Sequence, residues 1–444
     1  MPICIGKLEQ SALLVKKVNQ QVNFDQIRFS DPGVKDIIMG QLTHPMLITN
    51  LLAQIAFGLI AMTICLPSMQ EWGALFGASQ AQVQLTFSGF VVAFGVFQLV
   101  YGPLSDRYGR KGVLMTGLAL MALGSLVAAL APNLDVLIAA RVLQGAGSAA
   151  GTVVGRAMVQ DKFQGSQRTK VMAYIGMAMG LSPPLAAIVG GQLHVRLGWQ
   201  ANFILIMVMA LLMLAAAWRG LPGAARARPA RLEEGHWLAG MLSAYATLLR
   251  QKSLVLYVLI LCMTTAAFYT FLSGAPIVLR SYGVGPDGIG WYIMLVPIAY
   301  MAGNFLTSRL IHGKGERFFM ALGQVATLAG VLLMLGLALM GLDSPLAFTL
   351  PLMLLGAGHG FLMPPTLAGT VGVVPTLAGS AAALAGLMQQ LMGAVGAYSV
   401  GLVPHQGSRN LGWLMLGFTL CALGAHLVLR RQRVHALSST LASK

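Results

Sequence analysis

Gly102-Pro103-Leu104-Ser105-Asp106-Arg107-Tyr108-Gly109-Arg110-Lys111 occupies a short gap between two long apolar runs. A polar turn this short joins two helices that both cross an apolar layer. Within it one carboxylate, Asp106, meets three cations, Arg107, Arg110 and Lys111, while Gly102 and Gly109 permit close helix approach and a tight turn. A basic loop that orients a membrane protein would explain the cations alone. The acid adds a second reading. At a helix end its carboxylate can accept charge-assisted hydrogen bonds from arginines or from the start of another helix. Such a pair latches two halves of a protein on a closed side and breaks when that side opens. Gly102, Asp106, Arg107, Gly109, Arg110 and Lys111 are therefore expected at a gate and not against a ligand.

The rest of the chain suits a bilayer. Its 444 residues are 57% hydrophobic and 9% charged, with a mean hydropathy of +0.75. Soluble domains carry roughly 25% charged residues, so this chain is not built to face water on all sides. The net charge of +16 would suit nucleic acid, but with so few charges, placed as below, membrane orientation explains it better. Cys4, Cys65, Cys262 and Cys421 are scattered without metal-ligand spacing, so no disulfide, metal site or iron–sulfur cluster is expected. Residues 1–40 are polar and mixed in charge, unlike a signal peptide. A disordered tail is expected there, with an amphipathic surface helix on Leu13, Leu14, Val15, Val18 and Val22 as the alternative. Met39 and Met46 also leave open an over-long gene model.

A bilayer core needs about 20 apolar residues per helix. Twelve runs meet that need: 47–69, 82–101, 112–131, 134–157, 170–190, 200–219, 253–273, 288–308, 318–341, 345–369, 377–402 and 410–430. The expected architecture is an all-α membrane protein of twelve transmembrane helices in two six-helix halves. A tail (1–45) precedes the first half (46–220); a polar linker (221–252) with Arg226, Arg228, Arg231, Glu233 and Glu234 leads to the second (253–430) and a tail (431–444). Of the 29 lysines and arginines, all but Arg141, Arg196, Arg280 and Arg409 fall on one side, so both termini and the linker are expected in the cytoplasm.

Two further features lie inside spans. Arg141 sits within Arg141-Val142-Leu143-Gln144-Gly145-Ala146-Gly147 of the fourth. An arginine there is costly and faces a cavity or an anionic partner, or else snorkels or bonds a backbone carbonyl. The fifth carries Gly176, Gly180, Pro183, Pro184, Gly190 and Gly191. Glycines allow close helix packing and prolines free backbone groups, so Gly180, Pro183, Pro184, Gly190 and Gly191 are expected to let this span flex.

Taken in this order, the 102–111 loop, Arg141 through Gly145, and Pro183 through Gly190-Gly191 resemble the major facilitator superfamily. With Leu66-Pro67-Ser68-Met69 at the end of the first span, residues 45–430 look like its twelve-span drug:proton antiporters of the Bcr/CflA type. That resemblance implies a multi-pass protein of a bacterial inner membrane, exporting small amphipathic molecules by alternating access and driven by the proton gradient rather than a bound cofactor. Two positions depart from the pattern. Thr63 stands where the family commonly has a carboxylate, and Ala187 where a second proline is usual.

The first departure matters because all 13 acids lie in tails, loops or rims: Glu9, Asp25, Asp31, Asp36, Glu71, Asp106, Asp135, Asp161, Glu233, Glu234, Asp287, Glu316 and Asp343. As ionisable candidates Arg141, His359 and the rim acid Asp135 remain; a histidine titrates near pH 6.5 and can carry a proton, or can be a neutral hydrogen-bonded core residue. Arg141, His359, Thr63, Gln98, Tyr269, Tyr292 and Gln389 are the expected substrate or coupling positions, with Phe268, Asn304 and Gln390 beside them. Any one alone reads more simply as helix packing. Together such a lining accepts varied neutral, zwitterionic or anionic amphiphiles.

No phosphate-binding loop, nucleophile triad or metal cluster points to an ATPase or another enzyme. The expected function is secondary-active efflux of drugs or toxic compounds by a monomer whose partners are a small-molecule substrate and the lipid bilayer. A dedicated exporter of an endogenous metabolite such as a siderophore, and a non-transporting receptor or scaffold on the same fold, are the alternatives.

Overall fold

Proline positions explain where the helices break. A proline removes its own N–H and crowds the carbonyl four residues earlier. Pro67 acts in this way on Thr63, where the first helix ends before a short 3-10 turn over Leu66–Ser68. Pro297 does the same to Ile293, where a run expected as one span divides in two.

The computed structural model describes residues 32–163, 165–221, 243, 245–404 and 407–442. Its helices are α1 (Pro32–Thr63), α2 (Met69–Phe76), α3 (Gln80–Tyr108), α4 (Arg110–Ala129), α5 (Leu134–Lys162), α6 (Gly165–Leu197) and α7 (Gln200–Gly220) in the first half. In the second half come α8 (Lys252–Ser281), α9 (Pro286–Ile293), α10 (Leu295–Lys314), α11 (Glu316–Leu339), α12 (Pro345–Gly372), α13 (Ala378–Ser399) and α14 (Arg409–Ala442). No strand occurs among the described residues. The chain separates into two units, Met1–Thr49 and Asn50–Lys444. Helix α1 starts well before the expected 47, so the described residues from 32 are helix rather than tail. The stripe at Leu13–Val22 and the linker cations Arg226, Arg228 and Arg231 lie outside the described residues.

Among the described residues, eleven helices are long and apolar enough to cross a membrane. Helix α13 has the length, 22 residues, but is not among them; its Gln389–Gln390 pair lowers an otherwise apolar sequence. It packs against α8 and α3 and completes the six-plus-six order.

One end of the bundle, the turn end, carries the sharp connections. Gly109 (φ +92°) joins α3 to α4, and Gly315 (φ +80°) joins α10 to α11 at the matching place in the second half. Both sit where an L side chain would be strained. Gly102 differs from expectation: a Cβ there would meet open space, so no close approach depends on it. At the far end, helices begin on side-chain caps. Ser79 and Gln82 form a capping box for α3, Asn133 accepts from the Val136 N–H at 3.0 Å, and Ser344 accepts from the Ala347 N–H at 3.1 Å.

Candidate functional site

The interface of the halves begins at the far end, where their helices touch. The Arg280 guanidinium, at the end of α8, donates to the Gln70 carbonyl of α2. Gln84 donates to the Ser273 carbonyl at 3.3 Å, and Gln192 to the Asp287 carbonyl at 3.4 Å. Glycines let backbones meet: Gly191 of α6 lies on Pro286, Gly290 of α9 on Ala187 and Ile188, and Gly401 on Gln80 and Ala81. Beside this contact, His194 of α6 pairs with Glu71 of α2 at 3.0 Å. Midway down, the Phe87 and Tyr269 rings cross at 5.9 Å, and a Cβ on Gly95 would come within 2.7 Å of Gln390 Cβ.

At the turn end, the 102–111 residues bond within the first half. Arg110 Nη1 lies 2.6 Å from Asp106 Oδ1 and donates to Ser105 Oγ at 2.6 Å, while its Nε donates to Asp161 Oδ2 at 3.1 Å. Lys111 Nζ donates to the Trp218 and Leu221 carbonyls, the loose end of α7. Arg107 lies over the Tyr108 ring. The sequence-predicted gate residues Asp106, Arg110 and Lys111 thus tie α3, α4, α5 and α7 together.

Arg141 is fully buried. Its Nη1 donates to the Ala61 carbonyl and to Gln144 Oε1, both at 2.8 Å; Nη2 donates to the Met62 carbonyl at 3.1 Å and Nε to the Thr86 carbonyl at 3.3 Å. The Phe90 ring covers the guanidinium at 4.4 Å. Ala61 and Met62 belong to the last turn of α1, where carbonyls lose their helical partners and no bulk water replaces them. Arg141 caps that break, and Gln144 passes the bonding on to Ser125 Oγ at 2.7 Å. Thr63 is buried at the same break, its hydroxyl 2.9 Å from the Leu59 carbonyl and 3.3 Å from the Pro183 carbonyl.

The other candidates are spread over α3, α8, α9, α12 and α13. The His359 ring lies 5.1 Å from Phe268 and 5.4 Å from Tyr300. The ring lies beside the Thr264 backbone, and its Nδ1 is buried and unpartnered. Tyr269 donates to Gln390 Oε1 at 3.4 Å, and Gln389 to Thr265 Oγ1 at 2.9 Å. Gln98 is half-buried on α3; Tyr292 is half-buried on α9. In α6, Gly180 meets Met301, Gly190 meets Ile64, and Pro183 and Pro184 lie inside a continuous helix.

One residue was missed by the sequence reading, which grouped it with the cations at the helix ends. Arg156 of α5 is reached by solvent yet ringed by protein atoms, the mark of a cleft lining rather than an outer surface. A helical side chain leans toward the N-terminus of its helix, which here points Arg156 toward the bundle middle. Its Nη2 lies 3.3 Å from Met179 Sδ, and it sits within electrostatic range of Tyr300 in the other half. The helix length of α5, running on to Lys162, was the available signal.

Two six-helix halves that meet at the far end, with polar and aromatic side chains on their facing helices, have the architecture of a membrane transporter. The chain belongs to the Major Facilitator Superfamily, whose description matches residues 46–397. It is 29% identical to the Escherichia coli K12 multidrug resistance protein D, over 83% of this chain and 92% of that one. It is 28% identical to a Pseudomonas aeruginosa chloramphenicol resistance protein, over 81% and 84%. Among solved structures it resembles a mutant of the nucleoside transporter NupG, with a TM-score of 0.70 at 13% identity, covering 87% of this chain and 99% of that chain. At that identity the likeness concerns the fold alone.

Proposed function

We propose that the protein exports small amphipathic molecules across a bacterial inner membrane by alternating access between its halves. The observation that carries this reading is a pair of helical halves clasped at the far end, with aromatic, amide, methionine and arginine side chains among their inner helices. Lysines and arginines concentrate at the turn end, which supports a cytoplasmic position for that end and both termini. The clasp at the far end then makes this an inward-facing state. Relatives named for multidrug and chloramphenicol resistance support export.

The bonding at Arg141 favours a positioning role, holding the break in α1, over direct substrate contact. Asp106, paired within its own half here, is free to change partners when the turn end closes. With no acid inside the spans, His359 is the remaining proton carrier, its bare Nδ1 ready to accept. The test is uptake by proteoliposomes under an imposed pH gradient with a panel of drugs. Transport that follows the gradient and is lost in His359→Gln supports the reading; gradient-independent movement of every compound, or none, overturns it.

A further inference from the structure

Arg156 is a cation inside the bundle with no carboxylate paired to it among the described residues. There, ion pairs join Arg110 to Asp106 and Asp161, and His194 to Glu71; none includes Arg156. The polar neighbours it does have are not anions. Met179 offers a weak sulfur acceptor at 3.3 Å, and Tyr300 of α10 lies within electrostatic range. Asn304 lies beside the Tyr300 hydroxyl, one turn on along α10. A guanidinium of the first half and a phenol of the second are thus within electrostatic range of each other, and no carboxylate is paired with either among the described residues. Beyond Tyr300 stands a bare acceptor, His359 Nδ1, with the Phe268 ring packed beside it.

An unpaired charge is tolerable while water reaches it. When the cleft closes, a desolvated and uncompensated cation costs far more. A planar oxyanion removes that cost, because a guanidinium can grip a carboxylate through two parallel hydrogen bonds. We infer that Arg156 and Tyr300 form a subsite for the carboxylate of an aromatic amphiphile, whose ring lies on Phe268 and His359. The inference rests on the efflux reading above, which it narrows from any amphiphile to organic acids. Closure is then favoured by a bound acid and opposed in its absence, which discourages empty cycling.

Three probes with one ring and different head groups test this: 1-naphthylacetate, 1-naphthylacetamide and 1-naphthylethylamine. Equilibrium binding to the full chain in lipid nanodiscs should favour the acid over the amide by about tenfold, with the amine weakest. Arg156→Gln should bring acid and amide within about twofold, chiefly by weakening the acid, and an unfolding midpoint like that of the wild type reports that the variant is folded. Tyr300→Phe should reduce acid binding alone. If Arg156→Gln does not fold, Arg156→Lys serves, with the acid preference reduced but not abolished. Equal affinity for the three probes in the wild type, or an acid preference that survives Arg156→Gln, overturns the subsite. The efflux reading is judged separately, since transport of a non-acidic drug with no acid preference would refute the subsite and leave efflux standing. Acid-selective binding without any transport would support the subsite and refute efflux.

Discussion

Replacing Arg141 with methionine keeps much of the side chain's length and removes every donor. Four hydrogen bonds are lost, three of them to backbone carbonyls. The Ala61 and Met62 carbonyls then have no charged partner at a helix end inside the bundle. Leaving a buried acceptor unpaired costs about 1–3 kcal/mol, so the two together cost about 2–6 kcal/mol. A lysine retains the charge but lacks the planar fork that meets Ala61, Met62 and Thr86 at once, so it recovers only part of this. At about 2–4 °C per kcal/mol for chains of moderate size, Arg141→Met should lower the apparent unfolding midpoint by about 4–24 °C. Arg141→Lys should fall between the two. The assay is thermal unfolding in detergent, with all variants at one scan rate because unfolding of such proteins is often irreversible. A midpoint for Arg141→Met within about 2 °C of the wild type would refute the capping argument. Loss of ligand binding at unchanged stability would instead assign Arg141 to the substrate.

Asp106→Asn removes an exposed ion pair, so stability should change by less than about 1 kcal/mol while turnover falls and ligand binding persists; wild-type transport rates in proteoliposomes would remove Asp106 from the gate. Gly191→Val should press a side chain into the Pro286 backbone and lower the unfolding midpoint by the equivalent of about 1–3 kcal/mol. Gly176→Val, where a Cβ meets open space, is the matched control, and equal effects would refute the close approach of α6 and α9. Tyr282 lies beyond the end of α8, its hydroxyl donating to Asp343 Oδ1 at 3.1 Å and accepting from the Ser408 N–H. Burial, first among the causes, raises its pKa above 10, so the neutral phenol is favoured in the folded state. Its stabilising contribution is complete below the unfolded value of about 10 and is lost as pH rises through the folded pKa. Alkaline unfolding curves of Tyr282→Phe should lack that component; curves matching the wild type would show that Tyr282 is not its source.

Local chemistry made part of this molecule readable from its sequence. Gly109 announces its turn because a residue with positive φ between two helices has few alternatives to glycine. Twelve runs of spanning length, and the concentration of cations on alternate loops, follow from transfer free energies that act residue by residue. The break at Ile293 was equally legible, since Pro297 stands four residues on, but the hydropathy of the run masked it. Other features depended on packing. Arg141 finds its carbonyls 80 and 55 residues away in sequence, on α1 and α3, and no spacing within α5 encodes that. Arg156 lies close enough to the end of α5 to pass for a loop cation, and only the direction of its side chain separates the two cases. Gly102 shows the opposite error, since a glycine in a recognised pattern suggested a contact where there is space.

The glutamine pair of α13 also bears on how the chain enters its membrane. A segment with two adjacent amides partitions poorly into lipid by itself, because each unpaired amide loses its water. Gln389 finds its partner in Thr265 of α8 and Gln390 in Tyr269 of the same helix, more than a hundred residues earlier in synthesis. Insertion of α13 must therefore wait for α8 to be in place and accept it as a template. The hydrogen bonds that complete the second half in the finished protein are thus also the ones that admit its eleventh span to the bilayer.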